Sequence, residues 1–163
     1  AVVDRLAVVE NGIDASATVA GKYPHNRRVV AVGRLVDQKG FDVLIRAFSG
    51  VVRDVPDAEL VIVGDGHRRG ELERLVAAGG VMDRVEMCGA LPHADIAGLL
   101  ASAAVVAMPS RFEGLPLVAL EASLAGRPLV ATPVQGLGDV VVDGVTGLVV
   151  PVEDDAALAA ALV

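Results

Sequence analysis

Tryptophan is absent from the 163-residue chain, and the aromatic rings amount to one tyrosine and three phenylalanines. So few rings leave no stacking platform for bases or single strands. Basic charge is scarce too: 14 Lys and Arg stand against 21 Asp and Glu, a net charge of −7, the wrong sign for a protein that binds nucleic acid by displacing counterions from phosphate. Cys88 is the single cysteine, which excludes a disulfide framework and a cysteine-based zinc site. A long apolar run is also lacking. The chain is 53% hydrophobic, but its Val, Ala and Leu come in short runs. The longest candidate, Ile96 to Met108, contains Gly98 and Ser102 and is too short for a transmembrane segment. The amino terminus lacks the layout of a signal peptide, and the expected setting is reducing and cytoplasmic. The length suits one domain with a core that needs no covalent staple.

What is present is an alternation of two periods. Apolar runs of strand length lie at Val29–Val32, Leu60–Val63, Val85–Cys88, Val105–Met108, Leu129–Ala131 and Leu148–Val150. Between the first two, Phe41, Leu44, Ile45, Phe48, Val51 and Val52 follow the spacing of an amphipathic helix. Helices also fit Gly70–Ala78, Asp95–Ala103, Pro116–Ala125 and Asp154–Leu162, with Pro116 in a first turn and Asp154 or Asp155 as a cap. Near-continuous apolar strands separated by helices predict an α/β fold, a doubly wound Rossmann-like parallel sheet of about six strands covered on both faces. Residues 1–28 are expected to be a lead-in segment and 29–163 the domain itself. The chain begins in an apolar run and stops inside an Ala/Leu helical pattern, as a piece of a longer protein would.

In such sheets ligands bind outside the carboxyl ends of the strands. The loops there hold Gly33-Arg34, Gly64-Asp65-Gly66, Gly89, Pro109 to Glu113 and Thr132 to Gly138. Familiar phosphate loops are not among them. The only Gly-Lys pair, Gly21-Lys22, is followed by Tyr23 and fails the Walker pattern, and Gly64, Gly66 and Gly70 miss the GxGxxG spacing by one residue.

The chain has two lysines, and Lys39 lies five residues after Arg34 in the loop leaving the first strand. Two flexible cations at a strand end suit a diphosphate, or are simply solvated. The segment from Pro109 to Glu121 places Glu113 before a helix and Glu121 inside it, three or four residues from Leu117, Val118, Leu124 and Ala125. A carboxylate among apolar neighbours needs donors, which a vicinal diol supplies. The free amides of Leu117 and Val118 at the helix start suit a phosphate. The plainer alternatives are that Glu113 caps the helix and that Glu121 pairs with an arginine.

These residues, in order, resemble the donor-binding domain of retaining family 4, or group 1, glycosyltransferases of the GT-B fold. Val9-Glu-Asn-Gly-Ile-Asp14 resembles the family's PNGID, Gly33-Arg34-Leu35 with Lys39-Gly40 its GRL and KG pair, and Val63-Gly-Asp-Gly66 its second-strand turn. Pro109-Ser110, Glu113-Gly114 and Glu121-Ala122 resemble its PS, EG and EA block. Gly126, Pro128, Gly136, Gly144 and Thr146-Gly147-Leu148 resemble its closing segments. The sequence departs from the pattern at Glu10, in place of proline, and at Pro116, where many members have glycine.

The resemblance implies the carboxyl-terminal half of a GT-B architecture, with Arg34 and Lys39 on the diphosphate of a nucleotide sugar, Glu113 on donor-sugar hydroxyls and Glu121 on the ribose. It gives Leu117 and Val118 the phosphate. Backbone at Gly89 to Leu91 faces the base, Gly33, Gly64, Gly66 and Gly114 line the site, and Gly136 lies near the sugar. Implied too are a UDP-, GDP- or ADP-hexose substrate, retention, no obligatory metal or cofactor, and an acceptor glycan, lipid or small molecule held by an amino-terminal domain preceding Ala1. Membrane association would depend on that domain, and the chain alone would turn over little. His25, His67 and His93 are expected to be surface or loop residues. A non-catalytic Rossmann nucleotide-binding or sensing module is the competing expectation, and a nicotinamide-dependent oxidoreductase is weakened by the wrong first turn.

Overall fold

The computed structural model describes Ile13 and residues 22–114, 116–138 and 140–163. Their regular elements are β1 (Arg28–Val32), α1 (Phe41–Asp54), β2 (Glu59–Val63), α2 (Arg69–Ala78), β3 (Val85–Gly89), α3 (His93–Ser102), β4 (Val105–Met108), α4 (Leu117–Leu124), β5 (Leu129–Ala131), β6 (Gly147–Val149) and α5 (Asp155–Leu162). The strands form one sheet in the order β3-β2-β1-β4-β5-β6, and every pairing is parallel. The chain winds from β1 to one edge, returns through α3, and winds from β4 to the other edge. The order therefore reverses between β1 and β4, the point outside which doubly wound folds hold their ligands.

Side chains alternate across the sheet. Val29, Ala31, Leu60 and Ile62 join Leu44, Phe48, Leu72 and Leu158 of α1, α2 and α5 in one core. Val30, Val32, Val61 and Val63 join Leu100, Ala119 and Ala122 of α3 and α4 in the other. Burial on both faces is why the strands read as unbroken apolar runs. The α1 stripe is buried from Phe41 through Val51, and Asp154 caps α5 by accepting a 2.8 Å bond from the Ala157 amide.

The element boundaries differ from the sequence expectation by at most two residues, as three of them illustrate. Helix α3 starts at His93, two residues before Asp95, because Pro92 takes the cap position and its carbonyl accepts from the Asp95 and Ile96 amides. Pro116 likewise stands just outside α4, as its cap, and not in its first turn. Strand β6 covers Gly147–Val149 and not Leu148–Val150.

Of the expected lead-in, residues 1–12 and 14–21, with most of the PNGID-like segment, lie outside the described residues. Next to β1, Tyr23 Oη donates to the Ala104 carbonyl and Asn26 Nδ2 to that of Ser102, both at 2.9 Å. Among the described residues no helix is long and apolar enough to cross a membrane.

Candidate functional site

The carboxyl-end rim is assembled by backbone contact between loops. Gly33 donates to the Val63 carbonyl and Leu35 to that of Asp65, each at 2.9 Å. Gly64 has φ +136°, and a Cβ there would lie 1.8 Å from the Gly33 oxygen. A Cβ at Gly66 would come within 2.4 Å of the Leu35 oxygen. The demand for glycine at both positions thus comes from the stacking of two loops on each other. A left-handed Gly40, φ +65°, then brings the turn at Asp37–Lys39 against the loop after β4: a Cβ on it would lie 2.0 Å from the Pro109 oxygen.

That close approach joins the two charged residues singled out in the sequence. Lys39 Nζ donates to both carboxylate oxygens of Glu113, at 2.7 and 2.9 Å. Ser110 Oγ donates to Oε1 at 2.6 Å, and Thr132 Oγ1 fixes the Ser110 carbonyl at 2.5 Å. Glu113 is 5% exposed, so its charge is carried in the protein by one cation and one hydroxyl. Lys39 is accordingly no solvated surface residue, and Glu113 does not cap α4, which has no side-chain cap. Arg34 is exposed and has no hydrogen bond or ion pair from its side chain among the described residues.

Helix α4 begins beside this pair. Ala119 and Leu120 donate to the Pro116 carbonyl, while Leu117 and Val118 donate to no backbone group among the described residues. Proline has no N–H to offer. Two amides with no backbone acceptor among the described residues thus stand at the positive end of the helix. Glu121, one turn further in, is bonded to His93, whose Nε2 lies 2.9 Å from Oε1, and not to an arginine. Its expected apolar surroundings are only partial, since Leu117 and Leu124 are exposed.

A second charged cluster braces the rim. Asp42, buried in the first turn of α1, accepts two bonds from Arg111 at 2.9 and 2.8 Å, one from Arg68 at 3.2 Å and one from Arg46 at 3.3 Å. Burial raises the Asp42 pKa, but the hydrogen bonds and charge of Arg111, with the charge of Arg68, outweigh it and hold the carboxyl well below the usual range. Arg111 also donates to the Asp37 carbonyl at 2.6 Å and pairs with Glu153, and its amide donates to Gln38 at 2.8 Å. The Asp42 and Glu153 partners raise the guanidinium pKa further. Arg111, two residues from Glu113, thus ties that loop to the Lys39 turn and to α1.

Three further glycines fall on the same rim. Gly89 ends β3 and its carbonyl accepts from the Gly64 amide at 2.8 Å. Gly114 is exposed, and Gly136 packs over it, with 3.0 Å from a built Cβ to the Gly114 oxygen. The side chain of Leu91 packs against the core that contains Leu100, Ala119 and Ala122. No group of three His, Cys, Asp or Glu side chains suited to a cation occurs among the described residues. A cavity of about 440 Å³ opens at the opposite end of the sheet, between Tyr23, Val29, Val105, Leu129 and Leu162. Its lining is mainly apolar and brings no set of charged groups together.

The sequence model of the family described as "Glycosyl transferases group 1" matches residues 26–163, a stretch that holds the whole rim. The chain belongs to the group 1 glycosyl transferases. Within that family it is 41% identical over 123 residues to the alpha-D-kanosaminyltransferase of Streptomyces kanamyceticus, covering 76% of the chain and 32% of that enzyme. It is 39% identical over 158 residues to the GDP-mannose-dependent alpha-(1-6)-phosphatidylinositol monomannoside mannosyltransferase of Mycolicibacterium smegmatis, covering 91% and 41%. Anabaena Alr3699/HepE, solved in complex with UDP and glucose, superposes with a TM-score of 0.85 at 27% identity over 96% of the chain and 46% of that protein. The chain therefore spans between about a third and a half of the length of these group 1 glycosyl transferases.

Proposed function

We propose that the chain is the donor-binding half of a retaining hexosyltransferase, holding a nucleoside diphosphate sugar at the carboxyl-end rim for transfer to an acceptor carried by an amino-terminal domain. The observation that carries this is the pair of half-buried Lys39 with buried Glu113, on the same strand-end rim as the Leu117 and Val118 amides, which have no backbone acceptor among the described residues. In transfer the bond from the sugar C1 to the diphosphate oxygen breaks with its electron pair leaving on that oxygen, an acceptor hydroxyl oxygen bonds C1 on the same face, and the hydroxyl's proton passes to the departing diphosphate. Lys39, Arg34 and the α4 amides neutralise the new charge, a task that preorganised cations and dipoles perform without a resident metal or cofactor. Glu113, with its orientation fixed by Ser110 and Lys39, accepts from donor-sugar hydroxyls, and Glu121 accepts from the ribose. Arg34, which has no other side-chain partner among the described residues, closes over the diphosphate.

Support comes from the neighbours. Anabaena Alr3699/HepE is solved with UDP and glucose and with UDP-glucose, whereas the mannosyltransferase relative depends on GDP-mannose. The family therefore does not fix the base. The acceptor, be it glycan, lipid or small molecule, is assigned to the other half.

The test is a thermal-shift panel of the chain with UDP, GDP and ADP, with NAD as control, repeated on Lys39→Ala. At about 100 times its dissociation constant a ligand adds roughly 2.7 kcal/mol of apparent stability, several degrees for a domain of this size. A shift with a nucleoside diphosphate but not NAD, lost in Lys39→Ala, is expected. A shift with NAD alone, or one that Lys39→Ala leaves intact, contradicts the proposal. Supplied with a nucleotide sugar and acceptor, the chain by itself is expected to transfer little or nothing.

A further inference from the structure

The contact between His93 and Glu121 has no part in the donor site as described so far. Glu121 is largely buried, its side chain 16% exposed, and its single hydrogen bond among the described residues comes from His93, which is 74% exposed. An ionised carboxylate only accepts, so the imidazole Nε2 carries the hydrogen and donates to Oε1. That occupies one carboxylate oxygen and leaves Oε2 free.

Both ends of this contact are held by rigid elements. His93 is the first residue of α3, placed by the Pro92 cap. Ile96 and Leu99 of the same helix pack with Val118 of α4 against the core that contains Leu100, Ala119 and Ala122. The two helices meet on one face of the sheet, and the pair spans their junction at the rim. A glutamate has three rotatable bonds, and losing its one partner would free it to turn toward solvent.

We propose that His93 is a positioning residue for ribose recognition: by holding Oε1 it aims Oε2 of Glu121 at the nucleotide's vicinal diol. The inference rests on the proposed donor site and deepens it. A preset acceptor discriminates against a sugar lacking the hydroxyl, because the acceptor is then left unpaired. A loose one discriminates less.

The experiment compares UDP with 2′-deoxy-UDP and GDP with 2′-deoxy-GDP by calorimetric titration of the chain, in the wild type and in His93→Phe, His93→Gln and Glu121→Gln. The wild type is expected to prefer the ribose form of whichever nucleotide it binds by about tenfold, the size of one hydrogen bond to a charged group. Glu121→Gln removes most of that preference, His93→Phe lowers it about threefold or more, and His93→Gln, whose amide still donates, retains it. A purely structural His93 would change the melting temperature and leave the ratio alone. Full ribose preference in His93→Phe, with its loss in Glu121→Gln, overturns the role of His93 and leaves the donor site standing. Nucleotide binding with no ribose preference in the wild type overturns the roles of both Glu121 and His93 and leaves the diphosphate site standing, whereas absence of nucleotide binding overturns the donor site as well.

Discussion

At the scale of single residues, the central energetic fact is a buried carboxylate with a cation on it. Glu113 carries two bonds from Lys39 and one from Ser110, and removing Lys39 leaves its charge in a low-dielectric setting with only a hydroxyl to answer it. Lys39→Met is therefore expected to cost about 2 kcal/mol of stability, and adding Glu113→Gln to recover part of that, since the orphaned charge goes with it. Urea denaturation of the four variants of this cycle measures the coupling. Asp42 gives a pH signature. Its folded pKa is depressed, so its contribution is complete above the unfolded value near 3.9 and is lost as pH falls from there toward the folded value. The stability gap between wild type and Asp42→Asn is expected to be flat above about pH 5 and to shrink below about pH 4. Both residue types at the site were legible in the sequence, but their partners were not: Lys39 and Glu113 are 74 positions apart, and β1 lying beside β4 is what joins them. Asp42 reads in sequence as the polar face of an amphipathic helix. Its burial depends on Arg68 and Arg111, which come from other elements.

At the scale of elements, the strands were legible because burial on both faces writes itself as runs of Val, Leu and Ala. All six expected runs are strands, displaced by at most one residue at either end. Helix starts were harder. The sequence expectation starts α3 at Asp95, whereas Pro92 sets the start at His93, whose ring bonds Glu121. The loops are coupled in ways no local pattern shows: Arg111 binds the Asp37 carbonyl, Asp42 and Glu153 at once, joining the Glu113 loop to α1 and to the start of α5. Gly40→Ala tests the same junction. It asks an alanine to adopt φ +65° with its Cβ 2.0 Å from the Pro109 oxygen, which forces the Lys39 turn away from the Glu113 loop. A loss of about 3 kcal/mol is expected, together with faster hydrogen exchange at Ser110 and Arg111.

At the scale of the whole molecule, the topology gives the sheet two unlike ends. Charge, glycine and the Leu117 and Val118 amides gather where the strands finish, and the apolar cavity lined by Tyr23, Val105, Leu129 and Leu162 lies where they begin. A net charge of −7 repels a diphosphate from most of the surface, so binding rests on local cations at the rim and is expected to weaken as salt screens them. The measurement that tests the account most directly is a titration of the ¹⁵N-labelled chain with UDP and GDP, followed by amide chemical shifts. The account predicts that the largest changes fall at Gly33, Arg34 and Lys39, at Gly89 to Leu91, and at Leu117 and Val118. Changes concentrated at the strand-start cavity, around Val29, Val105, Leu129 and Leu162, with the rim amides unmoved, would contradict it.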